Sequence, residues 1–232
     1  MFFPGAGSFG TEFQPLLDAL GPGSVIRYPG RAGRGFGIPA ASFETAVDAC
    51  VEQVAARGGD APVLFGHSFG AYAAHATAVS LRQVGIAVAG VVVVGASSPA
   101  LVRVPERAIG TPQQVADYLD SVDPDVLAHT PSPDWREIVV ETTAHDLRLL
   151  RQFDFAAIPR AVHAVLAIRG DADPLTTDDA LDHWRTSTDG AFARHTVPGR
   201  HSDFLRRPAF VSWFVQLPAV PHALPQVTGD RS

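Results

Sequence analysis

The 232-residue chain has a formal net charge of −6, a hydrophobic content of 46% and 18% charged residues, which is typical of a soluble globular protein. The charges are spread without runs, which argues against nucleic acid as a partner. No window reaches about 18 uninterrupted apolar residues, so no membrane span is predicted, and the start MFFPGAGSFG has no signal-peptide pattern, which predicts a cytoplasmic protein.

Short apolar runs alternate along the chain with longer segments of helical period. This rhythm predicts an α/β fold, with a mostly parallel central sheet and helices on both faces. The predicted strands are 2–3, 25–28, 63–65, 88–94, 162–168 and 192–197. The predicted helices are roughly 9–20, 42–57, 69–84, 178–188 and 203–217. The single cysteine, Cys50, lies in the apolar pattern of its helix and is predicted to be a core or near-core residue.

Residues 99–158 interrupt the rhythm with two or three helical patterns and no convincing strand. Within them, TPQQ and SPDW are typical helix starts, with a capping Thr or Ser followed by proline. The pattern therefore predicts a core of residues 1–98 and 159–217 with a helical lid insertion at 99–158. The proline-rich residues 218–232 lack a period and are predicted to be a loosely ordered tail.

The stretch GHSFG, residues 66–70, fits the G-x-S-x-G pattern of a nucleophile elbow. It follows an apolar strand and precedes an alanine-rich helix, which is the context that this motif requires. A one-residue turn from strand to helix strains the backbone of Ser68, and side chains at Gly66 and Gly70 would collide with neighbouring elements. The motif predicts Ser68 as a catalytic nucleophile.

A serine hydroxyl needs a base and an acid, and in this fold they follow in the order serine, acid, histidine. His201 lies in a loop directly after the last predicted strand and is the predicted base. His67 lies inside the elbow, where its ring is expected to point elsewhere. His183 and His195 fall within predicted elements and are expected to be packing or surface residues.

The acid is expected just after the preceding strand, where RGDADP offers Asp171 and Asp173. Asp173 is favoured because it lies further from the strand and is freer to reach His201. Asp171 is the alternative, and it could instead shape the turn through its own backbone.

An oxyanion intermediate needs two amide donors. One is predicted to be the amide of Phe69, directly after the nucleophile. The other is expected from the loop after the first strand, FFPGAGSFG, where Gly5 and Ala6 are the candidates and Ala6 is preferred.

Taken together, FFPGAG, RYPGRAGR, GHSFGAYAA, RGDADP and PGRH resemble the stand-alone type II thioesterases of polyketide and non-ribosomal peptide assembly lines. The segment AHDLRLLRQF is similar to the lid of that family. The resemblance implies an α/β-hydrolase fold and a serine thioesterase that removes stalled or wrongly primed acyl groups from the phosphopantetheine arm of an acyl or peptidyl carrier protein. It also implies catalytic Ser68, Asp173 and His201, oxyanion amides from Phe69 and Ala6, a role in antibiotic biosynthesis, and no metal or organic cofactor.

Three features depart from the family pattern. Only Met1, Phe2 and Phe3 precede the proline of the first loop, so either the start lies upstream or the first strand is a stub. After His201 the family has two aromatic residues, whereas this chain has Ser202 and Asp203, which could perturb the base. Phe69 replaces the usual methionine.

Other functions stay open at the level of sequence. One is a carboxylester hydrolase that uses the same triad on small diffusible esters, and another is a catalytically weak carrier-binding protein. Acyl transfer or cyclisation is a further alternative, which depends on whether the lid excludes water. Because carrier proteins are commonly acidic, docking is expected to need a local basic patch. The candidates are Arg31, Arg34, Arg103, Arg107, Arg206 and Arg207.

Overall fold

The computed structural model describes residues 1–217. Its centre is a five-stranded, all-parallel sheet in which the spatial order of the strands follows the chain order. The strands are β1 (Phe2–Phe3), β2 (Val63–His67), β3 (Gly90–Val94), β4 (Ala164–Gly170) and β5 (Phe192–Val197). The helices are α1 (Gln14–Leu20), α2 (Phe43–Arg57), α3 (Phe69–Gln83), α4 (Pro112–Val122), α5 (Asp125–Ala128), α6 (Pro133–Gln152), α7 (Asp178–Asp182) and α8 (Pro208–Val215).

The central strand β3 explains why its sequence is apolar at every position. Successive side chains of a strand point to opposite faces of the sheet. Val91 and Val93 pack into a cluster with residues of α2 and α3, whereas Val92 and Val94 pack into a second cluster with residues of α1 and α8. Both faces of the sheet are therefore covered by helices, as a parallel sheet requires.

Most of the predicted elements are present, but residues 25–28 do not form a strand. Val25 makes one isolated parallel bridge to Phe2, and the chain then enters a loop. The prediction was wrong because Pro29 and Gly30 end the extended segment before it can pair further. The predicted helix 178–188 consists of α7 and a 3₁₀ turn (His183–Ser187), and the predicted helix 203–217 consists of a 3₁₀ turn (Asp203–Arg206) and α8.

Residues 99–158, here called the insertion, connect β3 to β4 and contain α4, α5, α6 and short 3₁₀ turns without a strand. Both predicted helix starts are confirmed. The Thr111 side chain accepts from the amide of Gln114 in a capping box at the start of α4, and the Ser132 side chain accepts from the amide of Trp135 at the start of α6. The predicted tail, residues 218–232, lies outside the described residues.

Cys50 is fully buried in the larger core cluster, as predicted. Within residues 1–217, no helix is both long enough and apolar enough to cross a membrane.

Candidate active site

The joint between β2 and α3 is a single residue, Ser68. Its backbone has φ 53° and ψ −119°, and it is the only non-glycine residue with positive φ among residues 1–217. The flanking glycines are needed for space: a Cβ at Gly66 would lie 2.1 Å from the carbonyl oxygen of Gly70, and one at Gly70 would lie 2.0 Å from that of Phe3. The predicted strained turn, and the predicted reason for its glycines, are therefore confirmed.

His201 and Asp173 form a buried pair on two neighbouring loops. Nδ1 of His201 lies 3.1 Å from both carboxylate oxygens of Asp173, and both residues are buried. Asp173 also accepts the amide of Leu175 at 2.8 Å. Burial works to raise the pKa of Asp173, but the hydrogen bond and charge from His201, together with the Leu175 amide, outweigh it and hold the pKa below its usual value. Asp173 is thus an ionised partner for His201.

The alternative acid, Asp171, has a different contact. Its side chain accepts the amide of Gly199 at 2.9 Å, so it ties the end of β4 to the loop that leads to His201. The side chain of Asp171 therefore stabilises the loop after β5 and not the turn in which Asp171 itself lies. Asp203, the residue that could have perturbed the base, is occupied by the amide of Arg200 and by the side chain of Arg207.

His67 has a role that the sequence did not indicate. Its Nε2 lies 3.1 Å from the backbone carbonyl oxygen of His201, and the two imidazole centroids are 4.9 Å apart. Burial and the neighbouring His201 lower the pKa of His67 to about 3, so its ring is neutral near pH 7. Because a carbonyl oxygen only accepts, the proton of the neutral ring is on Nε2. The position of His67 in the elbow motif was the only sequence feature that marked this residue, and it does not predict a contact with His201.

Ser68 and His201 line one cavity of about 380 Å³, which lies between the core and the insertion. Its walls are predominantly apolar, and this size is within the range of small-molecule sites. The insertion contributes Tyr118, Leu119 and Val122 from α4 and Trp135, Val139 and Leu147 from α6.

The loop after β1 borders the same cavity through Gly5, Ala6 and Gly7. Within the described residues, no acceptor receives the amide of Ala6. Phe69 is the first residue of α3, and the amides of the first helical turn have no acceptor within their own helix. The Phe69 side chain points away from the cavity and packs on Tyr28 and Phe43.

The insertion is also bound to the loop of His201. Ser202, the next residue, donates its hydroxyl to the buried carboxylate of Asp123, which follows α4 and lines the cavity. Ser202 therefore joins the loop of His201 to the insertion through a polar contact.

One of the arginines predicted for docking is not on the surface. Arg31 is buried, and its guanidinium pairs with the buried carboxylate of Asp146 on α6. The prediction failed for Arg31 because a loop sequence gives no sign of a charged partner more than a hundred residues away. The other five arginines are exposed, and Arg206 also lines the cavity.

Comparison with known proteins identifies the family of this chain. Residues 1–215 match the family model described as the thioesterase domain. The chain belongs to this family. The chain is similar to the probable cadicidin biosynthesis thioesterase of Streptomyces griseus, with 24% identity over 202 residues that cover 86% of this chain and 56% of the relative. It is also similar to thioesterase TesA of Mycobacterium leprae (strain TN), with 25% identity over 215 residues, 86% of this chain and 78% of that protein. The chain thus spans little more than half the length of the first relative.

Solved structures share the fold. RedJ, a thioesterase from the prodiginine biosynthetic pathway in Streptomyces coelicolor, superposes with a TM-score of 0.82 at 25% identity, over 93% of this chain and 82% of RedJ. BorB, a type II thioesterase from the borrelidin biosynthetic cluster, gives a TM-score of 0.78 at 24% identity, over 92% of this chain and 89% of BorB. The predicted family and the predicted α/β-hydrolase fold are both confirmed. Within residues 1–217, no group of three or more His, Cys, Asp or Glu side chains is placed to hold a metal ion.

Proposed function

We propose that this thioesterase hydrolyses acyl thioesters from the phosphopantetheine arm of acyl or peptidyl carrier proteins, and so clears stalled or wrongly primed assembly lines. The observation that carries the proposal is that the strained Ser68 and the Asp173-bonded His201 line the same cavity. RedJ is named for the prodiginine biosynthetic pathway and the Streptomyces griseus relative for cadicidin biosynthesis, which supports a role in a biosynthetic pathway.

In the proposed acylation step, Asp173 accepts Nδ1–H of His201, which leaves Nε2 as the base for the hydroxyl of Ser68. The Ser68 oxygen attacks the thioester carbon while its proton passes to Nε2. The tetrahedral intermediate then collapses, the carbon–sulfur bond breaks, and the same proton goes to the departing pantetheine sulfur. The ionised Asp173 stabilises the transient imidazolium.

The proposed oxyanion donors are the amides of Ala6 and Phe69. Ala6 lines the same cavity as Ser68, and Phe69 follows Ser68 in the chain. Within the described residues, neither amide donates a backbone hydrogen bond that would compete with the oxyanion. Loss of one such donor costs about 100- to 1,000-fold in kcat in comparable enzymes. Water activated by His201 would release the acyl group from Ser68 by the reverse proton transfers.

The substrate is proposed to enter with its acyl group against the apolar wall that α4 and α6 provide. Of the exposed arginines, Arg206 is placed best to meet the carrier or the phosphate of its arm, because it is exposed and also lines the cavity. The proposed steps use side chains, backbone amides and water, and they take place in the cytoplasm.

The decisive experiment compares the intact protein with Ser68→Ala on an acetyl-loaded carrier protein and on a simple nitrophenyl ester. Fast Ser68-dependent loss of the carrier-bound acetyl group, with slow cleavage of the ester, is the expected result. Fast ester cleavage with an untouched carrier would replace the proposal by a carboxylester hydrolase. Carrier binding without turnover would replace it by a binding protein, and an acyl product other than the free acid would indicate acyl transfer.

A further inference from the structure

The buried ion pair between Arg31 and Asp146 joins two distant parts of the chain. Arg31 lies in the loop after the Val25 bridge, and Asp146 lies on α6 of the insertion. Their side chains are 5% and 7% exposed, and the Arg31 guanidinium also lies 4.7 Å from the ring centroid of Tyr28. Taking two charges out of water is costly, and such pairs add little net stability over apolar residues of the same size. Stability alone therefore does not account for a charged pair at this buried position.

Both members of the pair contact the backbone of the loop after β1. The amide of Gly7 donates to Oδ2 of Asp146 at 2.9 Å, and a guanidinium nitrogen of Arg31 donates to the carbonyl oxygen of Ser8. The loop also packs directly on α6, since a Cβ at Gly7 would lie 2.0 Å from Oγ1 of Thr143. The ion pair thus binds two consecutive residues of this loop through their backbone.

Two further amides near Ala6, those of Gly5 and Ser8, also have acceptors. The amide of Gly5 faces Oε1 of Glu12 at 3.5 Å, and that of Ser8 donates to the carbonyl of Gly5 at 3.1 Å. Among the amides of residues 5–8, only that of Ala6 is left without an acceptor in the part of the chain that the structure describes, and Ala6 borders the cavity beside Ser68. The contacts of Gly5, Gly7 and Ser8 therefore hold the backbone on both sides of this amide.

We propose that Arg31 and Asp146 are positioning residues, which hold the loop after β1 so that the amide of Ala6 faces the oxyanion that forms on Ser68. The inference rests on the proposed function, in which Ala6 is an oxyanion donor. It gives the insertion a second role, because α6 completes the catalytic machinery through Asp146 besides forming a wall of the acyl cavity. Oxyanion donors act only when they are fixed before the charge develops, so a loosened loop lowers kcat more than it affects substrate binding.

The test measures kcat, KM and inhibition by an alkyl boronic acid, which forms a tetrahedral adduct on serine, for Asp146→Asn and Arg31→Met. Asp146→Asn keeps the size of the side chain and an acceptor oxygen for Gly7, but it removes the negative charge that holds the Arg31 guanidinium against the loop. We expect kcat to fall about 10- to 100-fold in both variants. KM should change less than about threefold, and boronate affinity should fall in parallel with kcat/KM. The matched control is Arg148→Met, which removes an arginine of the same helix whose hydrogen bond goes to the carbonyl of Ile109 at 2.9 Å.

A double variant, Arg31→Met with Asp146→Leu, separates positioning from stability. Apolar replacement of a buried pair commonly preserves much of the stability, but it leaves the Gly7 amide and the Ser8 carbonyl without their partners, so this variant is expected to stay folded with a melting temperature a few degrees lower while kcat stays low. Wild-type kcat in either folded Asp146→Asn or the double variant would overturn the inference, as would a loss of kcat in Arg148→Met as large as in Asp146→Asn. Because the intact protein and Ser68→Ala run in the same assay, absence of Ser68-dependent turnover would instead count against the proposed function.

Discussion

His67 donates a hydrogen bond from Nε2 to the backbone carbonyl of His201, so the residue before the candidate nucleophile holds the loop of the candidate base. Its other face is against the loop after β1, because a Cβ at Gly5 would meet Nδ1 of His67 at 3.1 Å. One neutral imidazole therefore contacts two of the loops that carry the proposed catalytic groups.

Replacing His67 tests this contact. His67→Phe fills a similar space but leaves the buried carbonyl of His201 without its donor, which costs about 1–3 kcal/mol of unfolding free energy. Displacement of the loop that contains His201 should also lower kcat, by up to about 100-fold. His67→Gln supplies an N–H donor and should recover part of both losses. Thermal melts and steady-state kinetics make the comparison, and equal losses in the two variants would show that the donor is not the reason.

Asp173 and Asp171 offer a matched pair of substitutions. Asp173→Asn removes the charge beside His201 and lets the amide stabilise the wrong tautomer, for which a loss of about 10⁴-fold in kcat is expected from related triads. Asp171→Asn keeps an oxygen that can still accept the amide of Gly199, and kcat should fall less than about tenfold. Steady-state kinetics on one substrate ranks the two, and a larger loss in Asp171→Asn would reassign the acid.

Arg206 is expected to matter for the carrier and not for small substrates. Arg206→Ala should raise KM for an acyl carrier protein about two- to fivefold, with the effect shrinking at high salt, since an exposed charge contributes up to ~1 kcal/mol. KM for a small acyl thioester should not change. Arg103→Ala, an exposed arginine that does not line the cavity, is the control. Equal effects of the two variants would argue for general electrostatic attraction rather than a docking position.

Buried histidines predict how stability depends on pH. Burial lowers the pKa of His75 to about 3 and that of His163 to about 4, from an ordinary value of 6.5. At pH values between the lowered pKa of each histidine and 6.5, the unfolded chain binds protons that the folded chain does not. The unfolding free energy therefore falls as pH falls below 6.5. For His75 alone, the unfolding free energy changes by about 1.4 kcal/mol per pH unit within this range.

Denaturant unfolding of His75→Gln across pH 7.5 to about 4.5 measures this slope. Any destabilisation seen at pH 7.5 should shrink as pH falls, because the variant no longer has a buried imidazole that resists protonation. A difference between variant and intact protein that stays constant over this range would show that His75 does not contribute to acid sensitivity.

Local patterns predicted much of this molecule. The elbow, the capped starts of α4 and α6 and five of the six proposed strands rest on short-range sequence signals, and each is present. The sixth, residues 25–28, failed because Pro29 and Gly30 follow it directly and end the extended segment after one bridge to Phe2. The residues proposed for the triad also lie where strand ends meet, because carboxyl ends of parallel strands share one edge of the sheet.

Contacts between the insertion and the core were not predictable in the same way. Arg31 with Asp146 and Ser202 with Asp123 join residues 115 and 79 positions apart in sequence. No period or capping motif marks such a pair, and a charged residue in a polar segment is ordinarily exposed. These two contacts bind the insertion to the loop that contains Arg31 and to the loop that contains His201 and Ser202.

The backbone of Ser68 carries a consequence for how this protein can evolve. A non-glycine residue held at φ 53° and ψ −119° destabilises the fold by about 1–3 kcal/mol, and glycine at this position would relieve that strain. For carrier binding alone, glycine would be the more stable residue at this position. Serine at the one strained non-glycine position of residues 1–217 is therefore a cost in stability that turnover accounts for and binding does not.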